Sequence, residues 1–209
     1  MKKKAVMKSA KKILTNAKKA SSGRGKDVKE KSSAKSAKMN GRSDESDIVK
    51  LILEDHVPLK DLIETLKSEA EYEEKRAAFE EFAPLLLAHA EPEQKSLYVR
   101  MKDERDLREQ AFEGDVEHAL ATQMIEECSE PTDNEDLWMA KVKVLAELVE
   151  HHIEEEENEM LKDVKKEFDV ETRHVIGQEY INLKEAYAMN NDMPVAGKSK
   201  TSTSEQRAH

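Results

Sequence analysis

Four histidines, His56, His89, His118 and His152, follow one another at intervals of 33, 29 and 34 residues, and two of them open a His-x-x-x-Glu pair, His89 with Glu93 and His152 with Glu156. Residues four apart share one face of a helix, so each pair presents an imidazole and a carboxylate one turn apart. Together these groups form a borderline-to-hard ligand set that suits non-haem iron, with manganese and zinc behind it, while the lack of thiolate argues against soft ions. Intervals of about 30 residues correspond to one helix plus one loop, so an up-and-down bundle would bring all four histidines to a common level.

The elements that must position them are legible as apolar stripes with a period near 3.5. The first, about 47–69, carries Ile48, Ile52, Leu59, Ile63 and Leu66; the second, about 72–101, carries Phe79, Phe82 and Leu86, with Pro84 and Pro92 expected to bend it. The third, about 104–128, carries Leu107, Ala111, Gly114, Ala121, Ile125 and Cys128; the fourth, after a polar break at 129–134 and running to about 168, carries Trp138, Val142, Leu145 and Val149. Thr132 or Asn134 would cap the fourth helix. A weaker fifth helix is expected over 169–190, and disorder from Asn191 onward. Each of the first four stripes runs into a histidine where an aliphatic residue belongs: His56 between Ile52 and Leu59, His89 after Leu86, His118 between Gly114 and Ala121, His152 after Val149.

Placing such groups in an apolar interior costs several kcal/mol each unless something inside satisfies them. Singly, each has an ordinary reading: a hydrogen-bonded core histidine, a His-x-x-x-Glu on an acidic helix, a solvated charge run at Glu154 to Glu157. Four helices breaking their stripes at one height have a common cause, and a bound cation supplies it.

Charge divides the chain. Of 45 acidic and 35 basic side chains, residues 1–42 hold 13 Lys and 2 Arg against Asp27 and Glu30, a net +13, which leaves −23 for the rest of a chain whose total is −10. The tail over 1–46 is poor in large apolar residues and is expected to be disordered, with a short helix in its first 20 residues able to form on a polyanion. Scarce Gly (6) and Pro (5) favour an all-α fold, and a single cysteine excludes a disulfide framework or a thiolate-ligated cluster. No apolar run approaches the length of a membrane span, so a cytoplasmic protein without integral membrane association is expected.

The stretches Leu-Glu-Asp-His at 53–56, Leu-Ala-His-Ala-Glu-Pro-Glu at 87–93, Val-Glu-His at 116–118 and Leu-Val-Glu-His-His-Ile-Glu-Glu-Glu-Glu at 148–157 resemble the haemerythrin-like HHE cation-binding domains over about 47–168. The resemblance implies an antiparallel four-helix bundle around two iron ions with an oxo or hydroxo bridge. His56, His89, His118 and His152 would be terminal ligands, and Glu93 and Glu156 would bridge. The sequence departs from the oxygen-carrying pattern, which takes two histidines from the third helix: one turn either side of His118 stand Gly114 and Thr122. Gln94 and Val99 also depart from the pattern of the second helix. The missing ligand favours reaction or sensing over reversible oxygen carriage.

Asp55, Asp115 and Glu155 are the nearby carboxylates that could hold the outer nitrogens of the histidines. Tyr98 is read first as a packed tyrosine and second as a donor to that network. His151, about 100° around its helix from His152, together with His174 and His209, is left out of the ligand set. Two functions stay open, with enzymatic turnover undecided since the same fold and ligands serve carriage, sensing, storage and catalysis. One is a di-iron protein that binds, senses or reacts with oxygen, peroxide or nitric oxide, or handles iron. The other is a nucleic-acid-associated scaffold acting through its basic N-terminal tail.

Overall fold

The computed structural model describes residues 44–191 and 193. The basic tail and most of the C-terminal end lie outside these, and with them the expectations of disorder and of a tail helix. Every regular element among the described residues is helical. Helix α1 spans Ile48–Lys67, α2 Tyr72–Glu93, α3 Val99–Asp103, α4 Arg108–Ser129, α5 Glu135–Glu155, α6 Leu161–Glu167 and α7 Val170–Asn190.

Two of the rods are longer than their α-helical parts. Gln94–Tyr98 joins α2 to α3, and Glu156–Met160 joins α5 to α6, each as a π-helical turn with helical backbone on both sides. Pro84 and Pro92 are both carried inside α2, and the π turn follows Pro92, where Ser96 Oγ donates to the Pro92 carbonyl at 2.8 Å. Proline lacks the amide that would tie its turn to the one before, and a hydroxyl competing for a backbone carbonyl loosens the next.

The helices begin where local chemistry satisfies their first amides. Asp47 accepts from the Val49 amide at 3.0 Å, Asp169 from Thr172 at 2.8 Å, and Asn134, one of the two residues expected to cap the fourth stripe, from Leu137 at 3.0 Å. Thr132 instead accepts from the Asn134 amide.

Around the bundle α1 touches α2 and α5, α4 touches α5, and α3 with its π turn touches α4, which is the antiparallel four-helix arrangement. Its core divides in two. One apolar cluster takes Leu59, Ile63, Phe82, Leu145, Trp138 and their neighbours; the other takes Ile48, Ile52, Leu97, Leu107, Leu161 and, from α7, Ile176 and Tyr180. The first is closed at its end by Trp138, whose indole donates to the Cys128 carbonyl at 2.9 Å. Cys128 is buried and its thiol is pushed up by that burial, as expected of a packing residue. In the second, Gly177 lets α7 reach the start of α1, since a Cβ there would stand 1.9 Å from the Ser46 carbonyl oxygen. No helix among the described residues is long and apolar enough to cross a membrane.

Candidate metal centre

Between the two apolar clusters lies a polar layer. His56, His89, Glu93, His118, His152 and Glu156 are each no more than 3% exposed, and all six come together there. Heptad-like spacing accounts for their entry into the core: His56 continues Ile48 and Ile52 on α1, His89 continues Phe82 and Leu86 on α2, and His152 continues Leu145 and Val149 on α5. Both glutamates stand where a π turn begins, Glu93 just before one and Glu156 as the first residue of the other. A π turn offsets the helical phase locally and is common at functional sites.

The Nε2 atoms of the histidines surround the two carboxylates. His56 Nε2 lies 3.1 Å and His152 Nε2 3.7 Å from Glu156 Oε2, while His89 Nε2 lies 3.4 Å and His118 Nε2 3.8 Å from Glu93 Oε2. His118 Nε2 and His152 Nε2 face each other at 3.0 Å. Despite this crowding, His56 Nε2, His89 Nε2 and all four carboxylate oxygens of Glu93 and Glu156 are buried without a hydrogen-bond partner. Orphaned atoms at this density are far outside what a folded interior tolerates, and every one of them is a lone-pair donor to a cation. Three overlapping groups, His56/His89/Glu156, His89/Glu93/His118 and Glu93/His152/Glu156, bring their ligand atoms within 4.8 Å of one another. The residues present therefore fit a metal centre, and the two glutamates belong to more than one group.

Electrostatics agree. Burial, followed by the neighbouring Glu156, pushes the Glu93 carboxyl well above the usual range. Burial acts on Glu156 in the same sense, but His56, Glu93 and His152 outweigh it and hold Glu156 low. Two carboxylates this close cannot both ionise unless positive charge sits between them. Burial pushes His89 down, and burial with the adjacent His152 pushes His118 further down, which favours the neutral imidazole, the form that ligates a cation.

Three of the rings are held from behind. His56 Nδ1 pairs with Glu157 Oε1 at 3.0 Å, His152 Nδ1 with Glu117 Oε2 at 2.7 Å, and His89 Nδ1 with Tyr180 Oη at 3.1 Å. Tyr180 donates onward to Asp55, which also pairs with Lys184 and lies 3.7 Å from His89 Nδ1. Such partners fix the ring and its tautomer. Of the three carboxylates expected in this role, Asp55 alone reaches one of the four buried histidines, His89. Asp115 instead pairs with Lys102 and accepts from Gln94, and Glu155 pairs with the exposed His151. Glu117 and Glu157 were masked in the sequence as neighbours of His118 and Glu156, because each serves a histidine on a different helix. Tyr180 gave no signal at all. His174 bonds Ser46, away from the layer, and His209 lies outside the described residues.

Tyr98 explains the gap in the third helix. Its ring stacks on His118 at 5.4 Å with an interplanar angle of 16°, and a Cβ built on Gly114 would stand 2.6 Å from its Oη. The aromatic ring occupies the place a longer side chain at 114 would need. Tyr98 Oη is buried without a hydrogen bond of good geometry, yet it is near enough to the Glu93 carboxyl to act against the rise of its pKa, so the ring packs and its hydroxyl faces the layer.

A helical bundle with a buried layer of imidazoles and carboxylates between two apolar clusters is a metal-binding bundle protein. The family model of the hemerythrin HHE cation-binding domain matches residues 47–164, more than half of the chain, and the chain belongs to that family. Comparisons with curated proteins and with solved structures match nothing. Helix α7, and with it Tyr180, lies beyond the matched residues.

Proposed function

We propose that the chain is a non-haem di-iron protein in which His56, His89, His118 and His152 are terminal ligands and Glu93 and Glu156 are shared between two ions, and that it binds, senses or reacts with a small ligand such as oxygen, peroxide or nitric oxide. The observation that carries this reading is the set of six orphaned donor atoms, from His56, His89, Glu93 and Glu156, converging from three rods. Bound iron supplies a redox-active Lewis acid able to take a small oxygen- or nitrogen-based ligand. The protein's own contribution is orientation and dryness. Glu157, Glu117 and Tyr180 hold the rings with Nε2 inward, and the apolar clusters above and below exclude water. A space of about 10 Å³ bounded by Leu86, Ala121, Val149, His118 and His152 adjoins the layer, about the room one water-sized molecule needs. Metal analysis after expression with iron supplied, together with the charge-transfer absorption of an oxo-bridged pair, tests the proposal. A protein that carries no metal after such expression contradicts it.

The charge asymmetry supports a second and compatible reading, that residues 1–42 contact nucleic acid or another polyanion. Phosphate contacts predict binding that weakens steeply with salt and disappears when 1–42 are deleted. A salt-independent interaction, or one kept by the deleted chain, rules it out.

A further inference from the structure

A cleft of about 80 Å³ opens from the surface between α4 and the end of α5. Its wall takes Glu113 and Glu117 from α4, Glu155 from α5, and Glu156 and Glu159 from the π turn, and among the described residues neither Lys nor Arg contributes to it. Burial deepens along it: Glu113, Glu155 and Glu159 are exposed, Glu117 is partly buried, and Glu156 is 1% exposed. Two residues of the wall, Glu117 and Glu155, also bring ligand atoms within 4.8 Å of one another and of His151, which is not itself in the wall. Glu117 faces both ways, since its Oε2 also holds His152 Nδ1.

Exposed carboxylates alone would say little. Here the inner end of the cleft is Glu156, a buried carboxylate with both oxygens unpartnered. The negative charges are close enough to feel one another, for partial burial and then Glu155, Glu117 and Glu109 push the Glu113 carboxyl up. A larger cavity beside the layer differs in kind. It has a volume of about 310 Å³ and is lined largely by apolar residues including Leu51, Leu85 and Ile181, and its carboxylates, Glu54, Asp55 and Glu185, share the wall with the ammonium of Lys184. Asp55 and Tyr180 stand between it and His89, already bonded to each other.

We propose that the acidic cleft is the entry route by which a divalent cation reaches Glu156, with Glu117, His151 and Glu155 as its first stop. The proposal rests on the metal-binding reading of the buried layer. A cleft lined by one sign of charge concentrates the counter-ion and accelerates its arrival, and successive carboxylates can replace the ion's water ligands in turn. His151, set aside as a ligand of the buried centre, acquires a role at the mouth.

The test is stopped-flow uptake of cobalt(II) by the full-length metal-free chain, read from the cobalt visible absorption, with bound metal counted at equilibrium. The cleft variant is Glu113→Gln/Glu155→Gln/Glu159→Gln. The control, Glu126→Gln/Glu130→Gln/Glu147→Gln, removes equal charge from exposed positions elsewhere. The cleft variant is expected to load about tenfold more slowly with unchanged stoichiometry, and the control to stay within about twofold of wild type. Should the triple substitution fail to fold, as circular dichroism would show, Glu113→Gln alone serves, with a slowing of about threefold. Wild-type loading by the cleft variant, or equal slowing by the control, overturns the entry route while leaving the buried centre intact. No bound cobalt at equilibrium in any form overturns both.

Discussion

The same rods build two adjacent layers on opposite terms. In the cluster around Leu145 and Trp138, burial of apolar surface stabilises the fold outright, and each side chain is satisfied by its neighbours. One turn along, the layer of His56, His89, Glu93, His118, His152 and Glu156 has the same burial and lacks the compensation. The first layer explains why the chain folds, and the second is intelligible only through what it binds. The contrast extends to their supports: the apolar cluster is complete within the helices of the bundle, whereas the polar layer borrows Tyr180 from α7.

The largest separate effect should come from the apolar layer. Leu145→Ala is expected to cost about 2–5 kcal/mol, from lost burial plus the cavity left behind, by an equal amount with and without metal in denaturant unfolding. A cost that depended on metal would mean the layers are not independent. Next comes metal removal. At free metal a hundredfold above its Kd, chelation should lower stability by about 2.7 kcal/mol, and Glu156→Gln should abolish that difference while keeping the metal-free chain helical. Equal metal-dependent stabilisation of wild type and Glu156→Gln would remove Glu156 from the ligand set. Gly114→Ala should follow at about 1–3 kcal/mol, the cost of forcing Tyr98 off His118; a neutral result would show the ring free to move. Smallest on the metal-free fold is Tyr180→Phe, about 0.5–1.5 kcal/mol for the lost hydrogen bonds, yet metal affinity should fall about 10–100-fold, read by competition with a chelating dye. Unchanged affinity would reduce Tyr180 to packing.

Much of this contrast was legible in the residues. Periodicity gave the rods because apolar residues at helical spacing must share a face, and the interruptions of those stripes at 56, 89, 118 and 152 marked the polar layer. Histidine intervals of one helix and loop fixed its level. Less visible was whatever depends on contacts between helices. Glu117 and Glu157 stand one residue from the inward positions, and their partners His152 and His56 are on other rods. Nothing in the order of residues announces the π turns at Gln94–Tyr98 and Glu156–Met160, since the pattern on either side reads as one continuous helix. Tyr180 stayed hidden for a related reason: α7 buries only Ile176, Gly177 and Tyr180, too few to stand out as a stripe. Gly114 looked like an absent ligand and is a seat for Tyr98, a distinction that only the packing reveals.

Anaerobic titration of the metal-free chain with iron(II), with free and bound metal separated and counted at each addition, addresses the buried layer most directly. Saturation at two ions per chain, lost in the Glu93→Ala/Glu156→Ala variant, is the predicted result. Failure to bind iron, or uptake that survives removal of both glutamates, would contradict it.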